Sequence, residues 1–297
     1  MDRPASAPAS SAPPATDAGG LAALGEFIDR HTRLFVLTGA GCSTGSGIPD
    51  YRDADGQWKR SPPIDFQAFM GYAHMRARYW ARSTVGWRRF GHMRPNAAHL
   101  ALALLEQRGH VQLLVTQNVD GLHQAAGSHN VLDLHGRLDE VRCMNGDWRG
   151  PRAAWQAELD GRNPGWAALD AADAPDGDAD LEGVDFSSFV VPACPRCGGI
   201  VKPDVVFFGE SIPPERGVRA RAALEQADAV LVVGSSLMVH SGYRYVRAAA
   251  ENGQPIAALN LGRTRADALF SLKVAQPCAP ALDALYGPFA DRAAAQS

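Results

Sequence analysis

Several clusters in the 297-residue chain combine side chains and spacings that could do chemistry. Gly39-Ala40-Gly41-Cys42-Ser43-Thr44-Gly45 follows an apolar run and opens toward a helix. Glycines there let the backbone approach a pyrophosphate, whose charge free N–H groups at a helix start would meet. Gly-rich turns of this kind also occur without a ligand. The continuation Ser46-Gly-Ile-Pro49-Asp50-Tyr51-Arg52 sharpens the reading, because the proline prevents a simple long helix. The segment is expected to fold over the ligand as a loop, with Asp50 and Arg52 close to phosphate and ribose. Thr116-Gln117-Asn118-Val119-Asp120 sets hydrogen-bonding side chains directly after a second apolar run. They suit ribose hydroxyls and a carboxamide better than a core. His135-Gly136 follows one loop later; an imidazole there is either structural or a general base for a sugar hydroxyl. Cys194-Pro-Arg-Cys197-Gly-Gly has the spacing and turn glycines of half a zinc knuckle.

These clusters need a scaffold, and the apolar pattern supplies one. Near-continuous apolar runs at 33–38, 111–116, 229–233 and 255–259 read as strands buried on both faces, as a parallel sheet requires. A shorter run covers 131–134, and helical patterns lie between, for example at 96–107 and 214–226. The expected fold is α/β, a Rossmann-like doubly wound parallel sheet with a helical insertion and a small cysteine-bearing, zinc-ribbon-like domain. Ligands of such sheets sit at the carboxyl ends of strands. There the runs end in Gly39-Ala40-Gly41, Gln117 to Asp120, Gly234-Ser235-Ser236 and Asn260-Leu-Gly262. The division is a tail over 1–20 and one folded domain over 21–290. Its large part covers about 21–50, 96–142 and 204–290, its helical insertion 51–95 and its small module 143–203.

Composition narrows the function classes. With 46% hydrophobic residues, 21% charged and a net charge of −3, the chain is an ordinary folded protein. The near-neutral balance argues against broad binding to nucleic acid or anionic membrane. No apolar run reaches the ~18 residues of a membrane span. The Pro-, Ala- and Ser-rich segment 1–20 reads as disordered, with neither a secretory nor a mitochondrial pattern. Five cysteines without disulfide-framework spacing point to a reducing compartment, so a cytoplasmic protein is expected. Cys42 reads as a small buried side chain. The acidic run 170–185 reads as a solvated loop. Its Asp176-Gly-Asp178-Ala-Asp180 start resembles a calcium loop, but Leu181 and Ser187 stand where that loop needs Gly and Glu.

Taken together, the glycine turn through Arg52, the Thr116 to Asp120 run, His135-Gly136, Cys194-Pro-Arg-Cys197, Lys202-Pro-Asp-Val-Val-Phe-Phe-Gly-Glu210 and Gly234-Ser-Ser236 resemble the sirtuins, in the family's order. The resemblance covers about 21–285. Arg78-Tyr-Trp-Ala-Arg82, Val85-Gly-Trp87, Asn163-Pro-Gly-Trp166 and Ala174-Pro-Asp-Gly-Asp178 are similar to class II sirtuins, the group of mitochondrial sirtuin 4 and bacterial relatives.

The resemblance implies an NAD-dependent protein-lysine deacylase that releases nicotinamide and passes the acyl group to ADP-ribose. His135 matches the general base, Asn118 the residue that orients ribose and water, and Asp120 the residue that holds the carboxamide. Gly39, Ala40, Gly41, Thr44, Asp50, Tyr51, Arg52, Gln117 and Val119 would join them around NAD. Gly234, Ser235, Ser236, Asn260, Gly262 and Cys278 would take the phosphate and adenosine half. Val206, Phe207, Phe208, Gly209 and Glu210 match the loop that pairs with acyl-lysine substrate peptides as an added strand. The family's structural zinc has a second Cys-x-x-Cys. Here Cys143, Cys194 and Cys197 are present and Gly146 stands at the fourth position, so zinc is held with Asp147 as substitute or has been lost. Tyr79 and Arg82 share a helix face and either clamp an acidic acyl group, as in some sirtuins, or pack with a surface ion pair. The expected state is a monomer. Rival readings are an ADP-ribosyltransferase or lipoamidase of the same chemistry, a plain NAD glycohydrolase, and an NAD-sensing module without turnover.

Overall fold

The computed structural model describes residues 18–287 except 54, 56, 60–62, 167–168, 170–177, 180 and 182. The chain begins with α1 (Ala18–Arg30) and β1 (Leu34–Thr38), followed by α2 (Phe66–Gly71), α3 (Ala73–Phe90) and α4 (Ala97–Gln107). Next come β2 (Val111–Thr116), α5 (Leu122–Ala125), β3 (Val131–Asp133), β4 (Gly136–Cys143), β5 (Arg149–Pro151) and α6 (Arg152–Arg162). The remainder is β6 (Val201–Val205), α7 (Pro214–Gln226), β7 (Ala229–Val233), α8 (His240–Glu251), β8 (Ile256–Leu259), β9 (Leu272–Val274) and α9 (Cys278–Tyr286).

The main sheet has the order β3-β2-β1-β7-β8-β9, with parallel pairing throughout. Every residue of β1, β7 and β8 is buried, which explains their unbroken apolar runs. Along β1, Leu34 and Val36 pack with Leu24, Leu102 and Leu282 of α1, α4 and α9. Phe35 and Leu37 point the other way, to Leu224 and Val246 of α7 and α8. The period of two thus feeds two cores, one on each face. Strand order reverses at β1, so the crevice between the ends of β1 and β7 is the place for a ligand.

A second, antiparallel sheet has the order β5-β4-β6. Its core is aromatic and shared with the insertion: Trp80 of α3 lies 5.8 Å from Trp155 of α6, above Val141 and Val201. β4 was expected in the large part through residue 142, but it belongs to this small sheet from its first residue. Gly136 makes the crossing possible. Its φ is 82°, and a Cβ there would overlap the Asp204 carbonyl of β6.

Other boundaries shift too. α1 starts at Ala18, inside the expected tail; 1–17 and 288–290 lie outside the described residues. Most of the acidic run, with Asp176 and Asp180 of the calcium-like motif, also lies outside them. Asp178 is not solvated as expected: it is buried beside Arg82. Cys42 is fully buried, as read. No described helix is long and apolar enough to cross a membrane.

Candidate active site

The loops after β1, β2, β7 and β8 enclose a cleft of about 860 Å³, within the range of small-molecule and cofactor sites. Every residue expected to hold the cofactor lines it, from Gly39 to Cys278, as do His135 and the 206–210 loop. The β1 and β7 loops meet backbone to backbone. The Gly41 N–H donates to the Gly234 carbonyl at 2.8 Å and the Gly39 N–H to the Val233 carbonyl at 3.1 Å. Gly234 has φ 62°, and a Cβ on it would overlap the Cys42 amide nitrogen. The turn after β1 continues as two short 3-10 pieces, Ala40–Cys42 and Thr44–Ser46, and not as an α-helix. Asp50 pairs with Lys59, and the Arg52 guanidinium lies 4.1 Å from the Trp58 ring centre, so the chain folds back over the cleft as a loop.

His135 lies in the two-residue turn between β3 and β4. Its Nδ1 lies 2.8 Å from the Gln117 carbonyl. A carbonyl only accepts, so Nδ1 carries the proton and Nε2 is left with its lone pair. The Ser241 hydroxyl, at the start of α8, donates to that Nε2 at 2.8 Å. Burial pushes the pKa of His135 below the ordinary histidine value. The Gln117 carbonyl opposes this, and the Arg216 and Arg244 guanidiniums add to it. A neutral imidazole with a basic Nε2 in the cleft can accept a proton from a hydroxyl.

Asn118 and Asp120 are fixed by residues that sequence reasoning passed over. The Asn118 amide donates to the Gly39 carbonyl at 3.1 Å and to the Ser43 hydroxyl at 2.9 Å. Ser43 in turn donates to Asp120 at 2.7 Å and faces His99 Nε2 at 3.4 Å. His99 Nδ1 accepts the Asn96 N–H at 3.2 Å, closing the capping box of α4. The Asn96-x-x-His99 spacing was the available signal for that box; nothing local marked Ser43 or Ser241. The Gln117 amide is engaged inward, donating to Ser235 Oγ at 2.7 Å and the Thr38 carbonyl at 3.2 Å.

The substrate-type loop is tied at both ends. The Val206 N–H donates to the His135 carbonyl at 2.7 Å, and Phe208 bridges in parallel to Asp65. Lys202, the fully buried second residue of β6, donates to the Val205 carbonyl and to the Pro203 carbonyl at 3.1 Å. It also pairs with Glu210 at 3.1 Å and sits 4.5 Å from the Phe207 ring centre. Burial pulls its pKa down and Glu210 opposes the pull.

The profile of the Sir2 family matches residues 39–241. The chain belongs to the Sir2 family. An NAD-dependent protein deacetylase of Bordetella bronchiseptica is 74% identical over 258 residues, covering 87% of this chain and 94% of the relative. One of Xanthomonas campestris pv. campestris is 68% identical over 266 residues, covering 90% and 91%. A solved structure described as Sir2-p53 peptide-NAD+ superposes with a TM-score of 0.72 at 27% identity, covering 91% of this chain and 97% of that one.

Two alternatives that the sequence left open narrow here. Tyr79 lines the cleft, packed against Phe69 and Phe207. Arg82 does not line it: its Nε donates to the Ala179 carbonyl at 3.0 Å and lies 3.8 Å from the Asp178 carboxylate. The pair does not meet at the cleft, because the buried Asp178 carboxylate takes the guanidinium; packing with an ion pair, the other alternative, is what the structure has. Asp147 likewise does not complete the metal set. Its side chain is 96% exposed, with Arg196 at 3.8 Å.

Cys143, Cys194 and Cys197 themselves fit zinc. Their sulfurs lie within 4.8 Å of one another, the Cys143–Cys197 pair at 3.4 Å. The Asn145 N–H points at Cys143 Sγ at 3.4 Å, and the Arg196, Cys197 and Gly199 amides serve the other two sulfurs. Such N–H groups stabilise thiolates. Cys42, His99 and His123 are equally close together but do not fit a metal. With Nδ1 accepting from Asn96, His99 carries its proton on the Nε2 that faces Ser43.

Proposed function

We propose that this Sir2-family chain is an NAD-dependent protein-lysine deacetylase that releases nicotinamide and transfers the acyl group to ADP-ribose. The observation that carries the reading is the neutral His135, its Nε2 lone pair held by Ser241 in the cleft that Asn118 and Asp120 also line. A binding module has no use for a base in that protonation state.

Bound NAD supplies the ribose carbon that gives up nicotinamide and the hydroxyl that ends up carrying the acyl group. Gly39, Ala40, Gly41, Thr44 and Gly234 to Ser236 form the phosphate cradle, and Asn260, Gly262 and Cys278 the adenosine end. Asp50, Tyr51 and Arg52 cover the middle, with Gln117 and Val119 shaping the ribose wall. Asp120 accepts from the carboxamide, Asn118 orients the ribose, and His135 takes the hydroxyl proton at Nε2, displacing Ser241. Residues 206–210 pair with the peptide through backbone, which favours tolerance of sequence. Zinc would be held by Cys143, Cys194 and Cys197 as a staple of the small sheet and takes no part in the reaction.

The class II motifs support the finer subtype, the sirtuin 4-like group, through packing: the Asn163 amide donates to the Leu159 and Val190 carbonyls at 2.9 Å, and Arg88 donates to the Trp166 carbonyl at 3.3 Å. The net charge of −3 and the cysteine pattern favour a cytoplasmic monomer that binds neither nucleic acid nor membrane; sedimentation analysis tests the monomer. One catalytic domain would span about 21–290.

Purified protein given NAD and an acetyl-lysine peptide should yield free peptide, nicotinamide and O-acetyl-ADP-ribose in equal amounts by mass spectrometry. H135A should make none while still binding NAD. Label transfer from NAD to protein in place of peptide deacylation would favour an ADP-ribosyltransferase, and NAD loss without peptide change a glycohydrolase. Release of lipoyl groups in preference to acetyl groups would mark a lipoamidase.

A further inference from the structure

Three sulfurs without a fourth ligand among the described residues set the cysteine module apart from a closed zinc site. A tetrahedral zinc with bonds of about 2.3 Å places its sulfurs ~3.8 Å apart, close to the 3.4 Å between Cys143 and Cys197. The three cysteines therefore make one face of a tetrahedron. Gly146 stands at the sequence position of the family's fourth cysteine, and an added Cβ there would meet no atom within 4 Å. The exposed Asn145 is engaged elsewhere, its Oδ1 accepting the Ile200 N–H at 3.3 Å. Asp147 points to solvent beside Arg196. No other His, Cys, Asp or Glu among the described residues joins the cluster. Cys197 is exposed, so the uncovered corner opens outward.

We infer that zinc in this chain is held by three thiolates only and that its fourth position is an open binding site for a small external thiol. Sites closed by four protein ligands are structural, whereas three-ligand sites keep an exchangeable water at the fourth position. A soft thiolate is the donor best matched to a metal already carrying three sulfurs. Zinc and three thiolates carry one net negative charge, and an incoming thiol loses its proton to solvent as it displaces water. The inference rests on zinc binding at these cysteines but not on catalysis.

The test uses the full-length protein with cobalt(II) in place of zinc, since thiolate-to-cobalt absorption counts sulfur ligands. The wild type should show a three-thiolate spectrum whose charge-transfer intensity rises by about one third on adding 2-mercaptoethanol. G146C should show the four-thiolate spectrum at once and not respond to the thiol. Should G146C fail to fold, zinc release from the wild type to a chelator decides, and it should slow several-fold with 2-mercaptoethanol present. A wild-type spectrum indifferent to added thiol, or no cobalt uptake at all, overturns the inference. These readouts need no turnover, so a failed deacetylation assay leaves them interpretable.

Discussion

Replacing Lys202 with Met keeps most of the side-chain volume and removes the cation that ties the 206–210 loop to its own strand. Lys202 has 1% of its side chain exposed and Glu210 has 15%. Breaking a fully buried pair by removing one partner costs about 3–5 kcal/mol. The partial exposure of Glu210 and its remaining bond from the Phe207 N–H at 2.9 Å place this case at the low end. Three carbonyl and carboxylate partners also lose their donor, and the cation over Phe207 is lost. We expect a destabilisation of about 3 kcal/mol, read from urea midpoints at constant slope. The loop should loosen while the glycine cradle stays intact. The KM for peptide should therefore rise at least about tenfold, the equivalent of ~1.4 kcal/mol, with the KM for NAD unchanged. K202M/E210Q should recover part of the stability, because no carboxylate is then left buried without its cation. Equal increases in both KM values, or a stability loss under about 1 kcal/mol, would show that the ion pair does not position the loop.

Acid should destabilise the protein earlier than carboxylate titration alone predicts. Burial lowers the pKa values of His99, His123 and His135, so below the ordinary value near 6.5 the unfolded chain binds protons that the folded chain does not. Stability is then flat above about pH 6.5 and falls by up to ~4 kcal/mol per pH unit below it until the folded histidines protonate; denaturation curves between pH 5 and 7 that coincide would contradict this (window from about 6.5 downward). R82M should lower stability and cut activity equally on acetyl, succinyl and glutaryl peptides. A selective loss on the acidic acyl groups would return Arg82 to the cleft. G234A should abolish NAD binding measured by calorimetry, since its Cβ would drive the β7 loop off the Cys42 amide; unchanged affinity would mean that the two loops do not have to touch. Chelation should lower the melting temperature and raise the peptide KM, because β4 starts next to His135 and ends at Cys143, and β6 lies between the cysteine turn and the 206–210 loop; a melting curve unmoved by chelator would remove the staple role.

Chemistry was legible wherever it is written in contiguous residues. The strand 229–233 and the helices at 96–107 and 214–226 are local patterns of apolar period, and the structure has all of them. The cleft residues at Gly39 to Gly41, Gln117 to Asp120, Gly234 to Ser236 and Asn260 to Gly262 were legible for the same reason: each set follows a strand, and the carboxyl ends of a parallel sheet converge; Cys278, at the start of α9, came only from the family resemblance. Long-range geometry was not written that way. Ser241 meets His135 across 106 positions and Ser43 meets Asp120 across 77, and no periodicity reports such a meeting. Arg82 has the same helix-face pattern whether it faces a ligand or a buried aspartate 96 positions on, so packing alone could choose Asp178. The assignment of β4 to the small sheet followed from a positive φ at Gly136, a backbone choice that glycine permits but does not dictate.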